Sequence, residues 1–268
     1  MHRLILILAA LLFLPVSAAE DDRPVVKDSE LPADQAASKS LPVLWLAGDS
    51  TVRNGGIQRG WGEEIGKLLD PAKIQLMNRA IGGRSSRTFL KEGRWEKMLG
   101  EMKKGDIVLV QFGHNDMGPV DAEGKFRGSL RSIGNETEEV KMPDGSTETV
   151  HSYGWYLRYI ARTGKAKGVT VVLCSPVPHK KFDSAGKFVQ DWPTLRGWVK
   201  SCAASEGVEF IDLAGLIGDK YAALPPAEVE AFFGDKGTHT NTAGAQFNAK
   251  CVVEGAGKLL APYLKGAR

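Results

Sequence analysis

Cysteine is scarce: the 268 residues contain three, an odd number, with no C-x-x-C spacing. A disulfide framework and a cysteine zinc site are therefore excluded as organising features. There is no H-E-x-x-H segment, and His114, His151, His179 and His239 have no metal-like spacing, so neither metal nor cofactor is expected. No run of basic residues accompanies the formal charge of +3, from 35 Lys and Arg against 32 Asp and Glu. A nucleic-acid binder would show a basic stripe or a stacking motif, so that class is disfavoured. The phosphate-loop patterns G-x-x-x-x-G-K-[ST] and G-x-G-x-x-G are missing, as is the G-x-S-x-G elbow of α/β-hydrolases. Internal repeats are also lacking. The long apolar run, Leu4 to Val16, is short for a membrane span.

What is present begins with that run. Met1-His2-Arg3 supplies a short basic start and Ser17-Ala18-Ala19 the small residues of a cleavage site. Together they form the three-part pattern of a secretory signal, so residues 1–19 are expected to be removed and the protein exported, with no membrane attachment afterwards. Glu20 to Ser40 is polar, carries two prolines and reads as a leader. An apolar fraction of 43% is enough for a sizeable core in the remaining 41–268, expected to be one domain.

Within it, apolar and mostly β-branched runs occur at Val43–Ala47, Ile74–Met77, Asp106–Phe112, Val169–Ser175 and Val208–Leu213. Amphipathic stretches of helical length lie between them, at Trp61–Leu69, Arg94–Lys104, Tyr153–Lys167 and Trp192–Glu206, and a last one runs from Thr242 to Leu264. Short buried strands alternating with helices predict an α/β fold, a three-layer α/β/α sandwich with a mostly parallel sheet of about five strands. Gly118–Val150 breaks the alternation and is expected to be a functional insertion with little structure of its own. In such sheets, sites form at the carboxyl ends of the strands.

The residues found there carry chemistry. The first strand ends in Gly48-Asp49-Ser50-Thr51-Val52, where a serine on a tight turn can present its hydroxyl and its own N–H, or where Asp49 and Ser50 simply cap a helix. The second ends in Asn78-Arg79-Ala80-Ile81-Gly82-Gly83-Arg84-Ser85-Ser86, with a glycine pair that permits close backbone approach. The third ends in Gly113-His114-Asn115-Asp116, where the Asn amide is a potential donor to an oxyanion. Gly234-Asp235-Lys236-Gly237-Thr238-His239-Thr240-Asn241 lies just before the last helix and offers a base with an acid nearby. Each stretch alone has a bland reading as turn or cap. Their joint occurrence at element ends does not.

These four stretches resemble the sequence blocks of the SGNH (GDSL-type) hydrolase superfamily. The G-D-S-T-V form, Gly60-Trp61-Gly62, Asn78-Arg79-Ala80 and Thr238-His239-Thr240-Asn241 with Ala243-Gly244-Ala245 are closer to its rhamnogalacturonan acetylesterase-like branch. The resemblance implies Ser50 as nucleophile, His239 as general base, and Ser50 N–H, Gly83 N–H and the Asn115 amide as an oxyanion hole. It also implies an acid three residues before the histidine, where this chain has Lys236. Asp235, four before, is the expected acid through a one-residue bulge, with Asp212 a lower-ranked substitute.

The implied activity is hydrolysis of O-acetyl esters on carbohydrate, with an acetylated pectic polysaccharide or oligosaccharide as substrate and a monomer as the working form. Two alternatives stay open: a lipid or other short-chain ester hydrolase of the same superfamily, and a catalytically impaired carbohydrate-binding protein. Trp61, Arg84 and His179 are candidate substrate contacts. Trp61 and Trp155 either stack on sugar or belong to the core. Arg84, Arg87, His179, Lys180 and Lys181 form either a basic rim suited to a uronic-acid polymer or a solvated face. Cys174 reads as a buried apolar residue, and Cys202 and Cys251 are the pair open to a disulfide on export.

Overall fold

The computed structural model describes residues 35–55, 57–121, 125–190 and 192–267. The signal-like segment 1–19 and the leader as far as residue 34 lie outside the described residues. The end of the expected leader is seated on the domain: Ser38 N–H donates to Gln75 Oε1 at 2.5 Å, and Gln75 Nε2 donates to the Ala36 carbonyl at 3.0 Å.

Five parallel strands, β1 (Val43–Gly48), β2 (Gln75–Asn78), β3 (Ile107–Gln111), β6 (Thr170–Cys174) and β7 (Glu209–Ile211), form one sheet in the order β2-β1-β3-β6-β7. β1 and β3 are buried along their whole length, which is why they read as continuous apolar runs rather than alternating ones. The alternation is instead between two cores. Leu44, Leu46, Ile107, Leu109 and Val172 pack with Trp61, Ile65, Ile217, Tyr221 and Val252 on one face. Val43, Trp45, Val108, Val110 and Val171 pack with Trp95, Met98, Leu157, Ile160 and Val199 on the other. The first face is covered by α1 (Trp61–Glu64), α6 (Leu213–Ala222), α7 (Pro226–Ala231) and α8 (Thr242–Ala256). The second is covered by α2 (Ser86–Lys91), α3 (Arg94–Glu101), α4 (Tyr153–Ala166) and α5 (Pro193–Glu206). The expected three-layer sandwich is present.

Helices α2, α6 and α7 were not expected, and two expected helices are shorter. The first passes after Glu64 into a 3-10 turn, Ile65–Lys67. The last stops at Gly257, whose φ of +49° breaks the helical path. Cys202 and Cys251 belong to cores on opposite faces of the sheet, so the pairing left open by the sequence does not form; all three cysteines are free and buried.

The insertion Gly118–Val150 also differs from expectation. It contains most of an antiparallel hairpin, β4 (Thr137–Lys141) and β5 (Thr147–His151), in which Val140 and Val150 are buried. A fully enclosed Arg87 on α2 binds it to the body. That guanidinium pairs with Glu148 at 2.8 and 2.9 Å and donates to the carbonyls of Val120 and Gly128 at 2.8 and 2.7 Å. Arg87 is thus no part of a basic rim. Arg87→Met leaves two carbonyls without their donor and Glu148 with Lys91 alone (2.6 Å), so urea unfolding should show a loss of about 1–3 kcal/mol.

Candidate active site

The sheet order reverses between β1 and β3, since β1 leads to β2 on one side while β3 lies on the other. Sheets of this kind place their sites at the carboxyl edge of such a switch point. Ser50 follows β1 and Asn115 follows β3, so the two flank it.

Close packing shapes the Ser50 turn. A Cβ on Gly48 would meet Val52 Cγ2 at 2.4 Å and the Gln111 carbonyl at 2.8 Å, so only glycine fits. The Asp49 carbonyl accepts from the N–H groups of Val52 and Arg53, each at 3.1 Å, turning the chain sharply. Ser50 Oγ lies 2.7 Å from His239 Nε2, and His239 Nδ1 lies 2.6 Å from Asp235 Oδ2.

Asp235 reaches the imidazole from four residues back because its other oxygen organises the intervening turn. Oδ1 accepts from the N–H groups of Gly237 (2.8 Å), Thr238 (2.8 Å) and His239 (3.0 Å). Burial pushes this carboxyl's pKa up, but the His239 ring and the three amides more than reverse that and hold it well below the ordinary range. The loop is strapped on several sides. Gly234 N–H donates to the His239 carbonyl (2.8 Å), Lys180 N–H to the Gly237 carbonyl (2.7 Å), and Arg59 N–H to the Thr240 carbonyl (2.7 Å). The substitute acid, Asp212, is engaged elsewhere: it caps α6 through Gly215 N–H and pairs with Arg196.

The glycine pair lies against the serine. A Cβ on Gly82 would stand 3.5 Å from Ser50 Cβ, and Gly83 has a φ of +78°, which favours glycine. The Gly83 carbonyl accepts from Arg127 Nη1 at 3.2 Å. Asn115 Nδ2 donates to the Arg84 carbonyl at 2.8 Å. An amide nitrogen carries two protons, so this bond uses one and ties Asn115 to the glycine loop.

The expected substrate contacts fare differently. Trp61 is completely buried and donates from Nε1 to Gln111 Oε1 at 2.8 Å, so it belongs to the core and offers no face to a sugar. Arg84 is paired with Glu92 at 3.1 Å and donates to the Gly82 carbonyl. His179 is half-buried against Trp192 and His114, with ring centroids 4.8 and 5.1 Å away. Trp155 is half-buried between the rings of His151 and Tyr159, at 3.8 and 5.5 Å.

Four residues that shape the site have no catalytic role in the sequence blocks: Asp49, His114, Asp116 and Arg127. The first three are immediate neighbours of Ser50 and Asn115, which was the available signal. Asp116 is fully buried and binds Ser86 Oγ, Ser86 N–H (3.1 and 3.2 Å) and Ser129 Oγ (2.7 Å), joining the Asn115 turn to α2 and to the insertion.

A serine hydroxyl bonded to an imidazole, itself bonded to a carboxylate, is the apparatus of acyl transfer through serine. The sequence model of the GDSL-like lipase/acylhydrolase family matches residues 46–247, and the chain belongs to that family. The chain is 32% identical over 202 residues to a rhamnogalacturonan acetylesterase of Emericella nidulans, covering 75% of this chain and 79% of that protein. It is 33% identical over 227 residues to a probable rhamnogalacturonan acetylesterase, YesY, of Bacillus subtilis, covering 82% and 94%. Among solved structures, an acetylxylan esterase of Geobacillus stearothermophilus, Axe2, shares the fold at 19% identity and a TM-score of 0.55, covering 83% of this chain and 96% of that one.

Burial pushes the Asp116 carboxyl up to about 6, against the hydrogen bonds of Ser86 and Ser129. Between an ordinary value of about 4 and this one, the folded state keeps a proton that the unfolded chain has lost. Stability therefore falls as pH rises through that window. Urea unfolding from about pH 4 to 6.5 should show this slope reduced in Asp116→Asn, whatever the variant's absolute stability.

Proposed function

We infer that the protein is a carbohydrate O-acetyl esterase that deacetylates rhamnogalacturonan or a related pectic polysaccharide through an acyl-enzyme on Ser50. The observation that carries this reading is the unbroken relay from Ser50 Oγ through His239 to Asp235 at the carboxyl edge of the sheet. Family membership and the relatives named as rhamnogalacturonan acetylesterases support the substrate class.

In this mechanism Asp235 fixes the imidazole with Nδ1–H toward its carboxylate, leaving Nε2 free to take the Ser50 proton. Ser50 Oγ attacks the acetyl carbonyl, and the developing oxyanion is met by Ser50 N–H, Gly83 N–H and the second proton of the Asn115 amide. His239 then protonates the departing sugar hydroxyl. It next activates a water that releases acetate and restores Ser50. No metal enters the scheme, and none of the steps calls for a cofactor.

Export belongs to the same reading, supported by the signal-like pattern of residues 1–19. Among the described residues, no helix is long and apolar enough to cross a membrane. We expect the exported enzyme to act as a monomer. A lipid hydrolase would want an apolar acyl surface near the site, whereas the hairpin of the insertion presents mostly charged and hydroxyl side chains. The binding-protein alternative rested on the extra residue between Asp235 and His239, and their 2.6 Å contact weighs against it.

The test is acetate release from acetylated rhamnogalacturonan, acetylated xylan and p-nitrophenyl esters of increasing chain length, with Ser50→Ala as control. Ser50-dependent release, greatest on the pectic polymer, is expected, and Asn115→Ala should lower kcat by about 10²–10³. A preference for long acyl chains would favour the lipid reading, and activity retained by Ser50→Ala would remove the mechanism.

A further inference from the structure

A second imidazole–carboxylate pair sits directly behind the first. His114 follows β3, and its side chain is almost fully buried. Its Nδ1 lies 3.3 Å from Asp49 Oδ2 and its Nε2 lies 3.0 Å from the Val177 carbonyl. A carbonyl only accepts hydrogen bonds, and so does an ionised carboxylate. Two donors on one oxygen favour the ionised form of Asp49: Oδ1 accepts from Thr51 N–H (2.9 Å) and Thr51 Oγ1 (2.7 Å), and Oδ2 faces the ring. Burial opposes that charge, but the His114 ring and the Thr51 groups overcome it and lower the carboxyl's pKa. Both ring nitrogens therefore meet acceptors, and an imidazole meets two acceptors only when both nitrogens carry protons.

We propose that His114, held as an imidazolium against Asp49, is a positioning residue that keeps the Ser50 turn, the Asn115 turn and the His239 loop in register. The pair spans three adjacent strands, since β3 lies between β1 and β6. Asp49 precedes Ser50 and His114 precedes Asn115, so their bond sets the spacing of the hydroxyl and the amide. On the other side, His114 fixes the segment after β6. Three residues beyond Val177, Lys180 N–H holds the Gly237 carbonyl at 2.7 Å, inside the turn that Asp235 closes. A continuous path thus runs from the residue before Ser50 to the loop bearing His239.

The surroundings suit a fixed charge in a fixed place. The rings of His179 and Trp192 pack edge-on to His114, at centroid distances of 5.1 and 5.7 Å. Asp116 and Tyr153 also lie close by, and Tyr153 donates its hydroxyl to the Phe112 carbonyl at 2.8 Å. A buried ion pair is a poor source of net stability, since desolvation offsets the attraction. Its worth here lies in direction: two protons aimed at two loops.

Two measurements test the proposal. In protein labelled with ¹⁵N-histidine, long-range ¹H–¹⁵N correlation at neutral pH, assigned through bonds from the backbone, should show both His114 nitrogens protonated. An unprotonated nitrogen at His114 would overturn it. Asp49→Ala and His114→Ala each remove the link, whereas Asp49→Asn would keep one by donating its amide to a neutral ring. Acetate-release kinetics should show kcat reduced by about 10²-fold with KM little changed. An unchanged kcat in a folded variant, or an effect on KM alone, would contradict a positioning role. The kinetic arm rests on Ser50 being the nucleophile, whereas the resonance arm does not. Activity retained by Ser50→Ala would sink the former reading and leave the charge state of His114 standing.

Discussion

The hydrogen bond of 2.7 Å between Ser50 and His239 joins residues 189 positions apart in the chain. Neither residue can hold the other by itself: each sits on a short turn at the end of an element, and such turns move easily. The surrounding structure supplies the constraint. β1 and β3 are paired along their length from Leu44 opposite Ile107 to Gly48 opposite Gln111, so the two turns that leave them start from a fixed offset. Gly48 lets the Ser50 turn press against the neighbouring strand. The Asp235 carboxylate then builds the His239 loop around itself, and Asn241 caps α8 through the N–H groups of Ala243 and Gly244 just beyond it. Geometry at the serine is thus a property of the sheet edge as a whole.

The cost of this arrangement is a set of buried polar groups, and those beneath Ser50 are answered locally. Gln111 accepts from Trp61 Nε1 and donates to Thr51 Oγ1, which in turn donates to Asp49. Asp116 collects Ser86 and Ser129, and Arg87 satisfies Glu148 with two carbonyls of the insertion. These chains are anchored on side chains that are themselves packed, which limits how far the donors near Ser50 can drift. The hairpin is held through the same buried arginine, so the insertion is tied to the site's own foundation.

Much of this was legible in the sequence. Strands buried on both faces write themselves as unbroken apolar runs, and three of the four chemically suggestive stretches fell just beyond them, the fourth just before α8. The hairpin was not legible because β4 and β5 bury a single residue each, Val140 and Val150, amid Thr, Glu, Lys and His. No apolar period survives such sparse burial. Trp61 gave a false lead, since an indole next to a motif glycine reads equally as a sugar platform or as a plug under the serine turn. The extra residue before His239 obscured the acid, because sequence spacing does not show that three backbone amides fold the turn around Asp235. His114 and Asp49 were hidden by their neighbours, whose roles already accounted for the motif.

The central claim is that Ser50 is activated by an imidazole held in place by Asp235. The most direct test is covalent labelling with diethyl p-nitrophenyl phosphate, followed by intact-mass and peptide mass spectrometry. The account predicts a single diethylphosphoryl group on Ser50, absent in Ser50→Ala and formed far more slowly in His239→Ala. Labelling at another residue, or equal rates with and without His239, would contradict it.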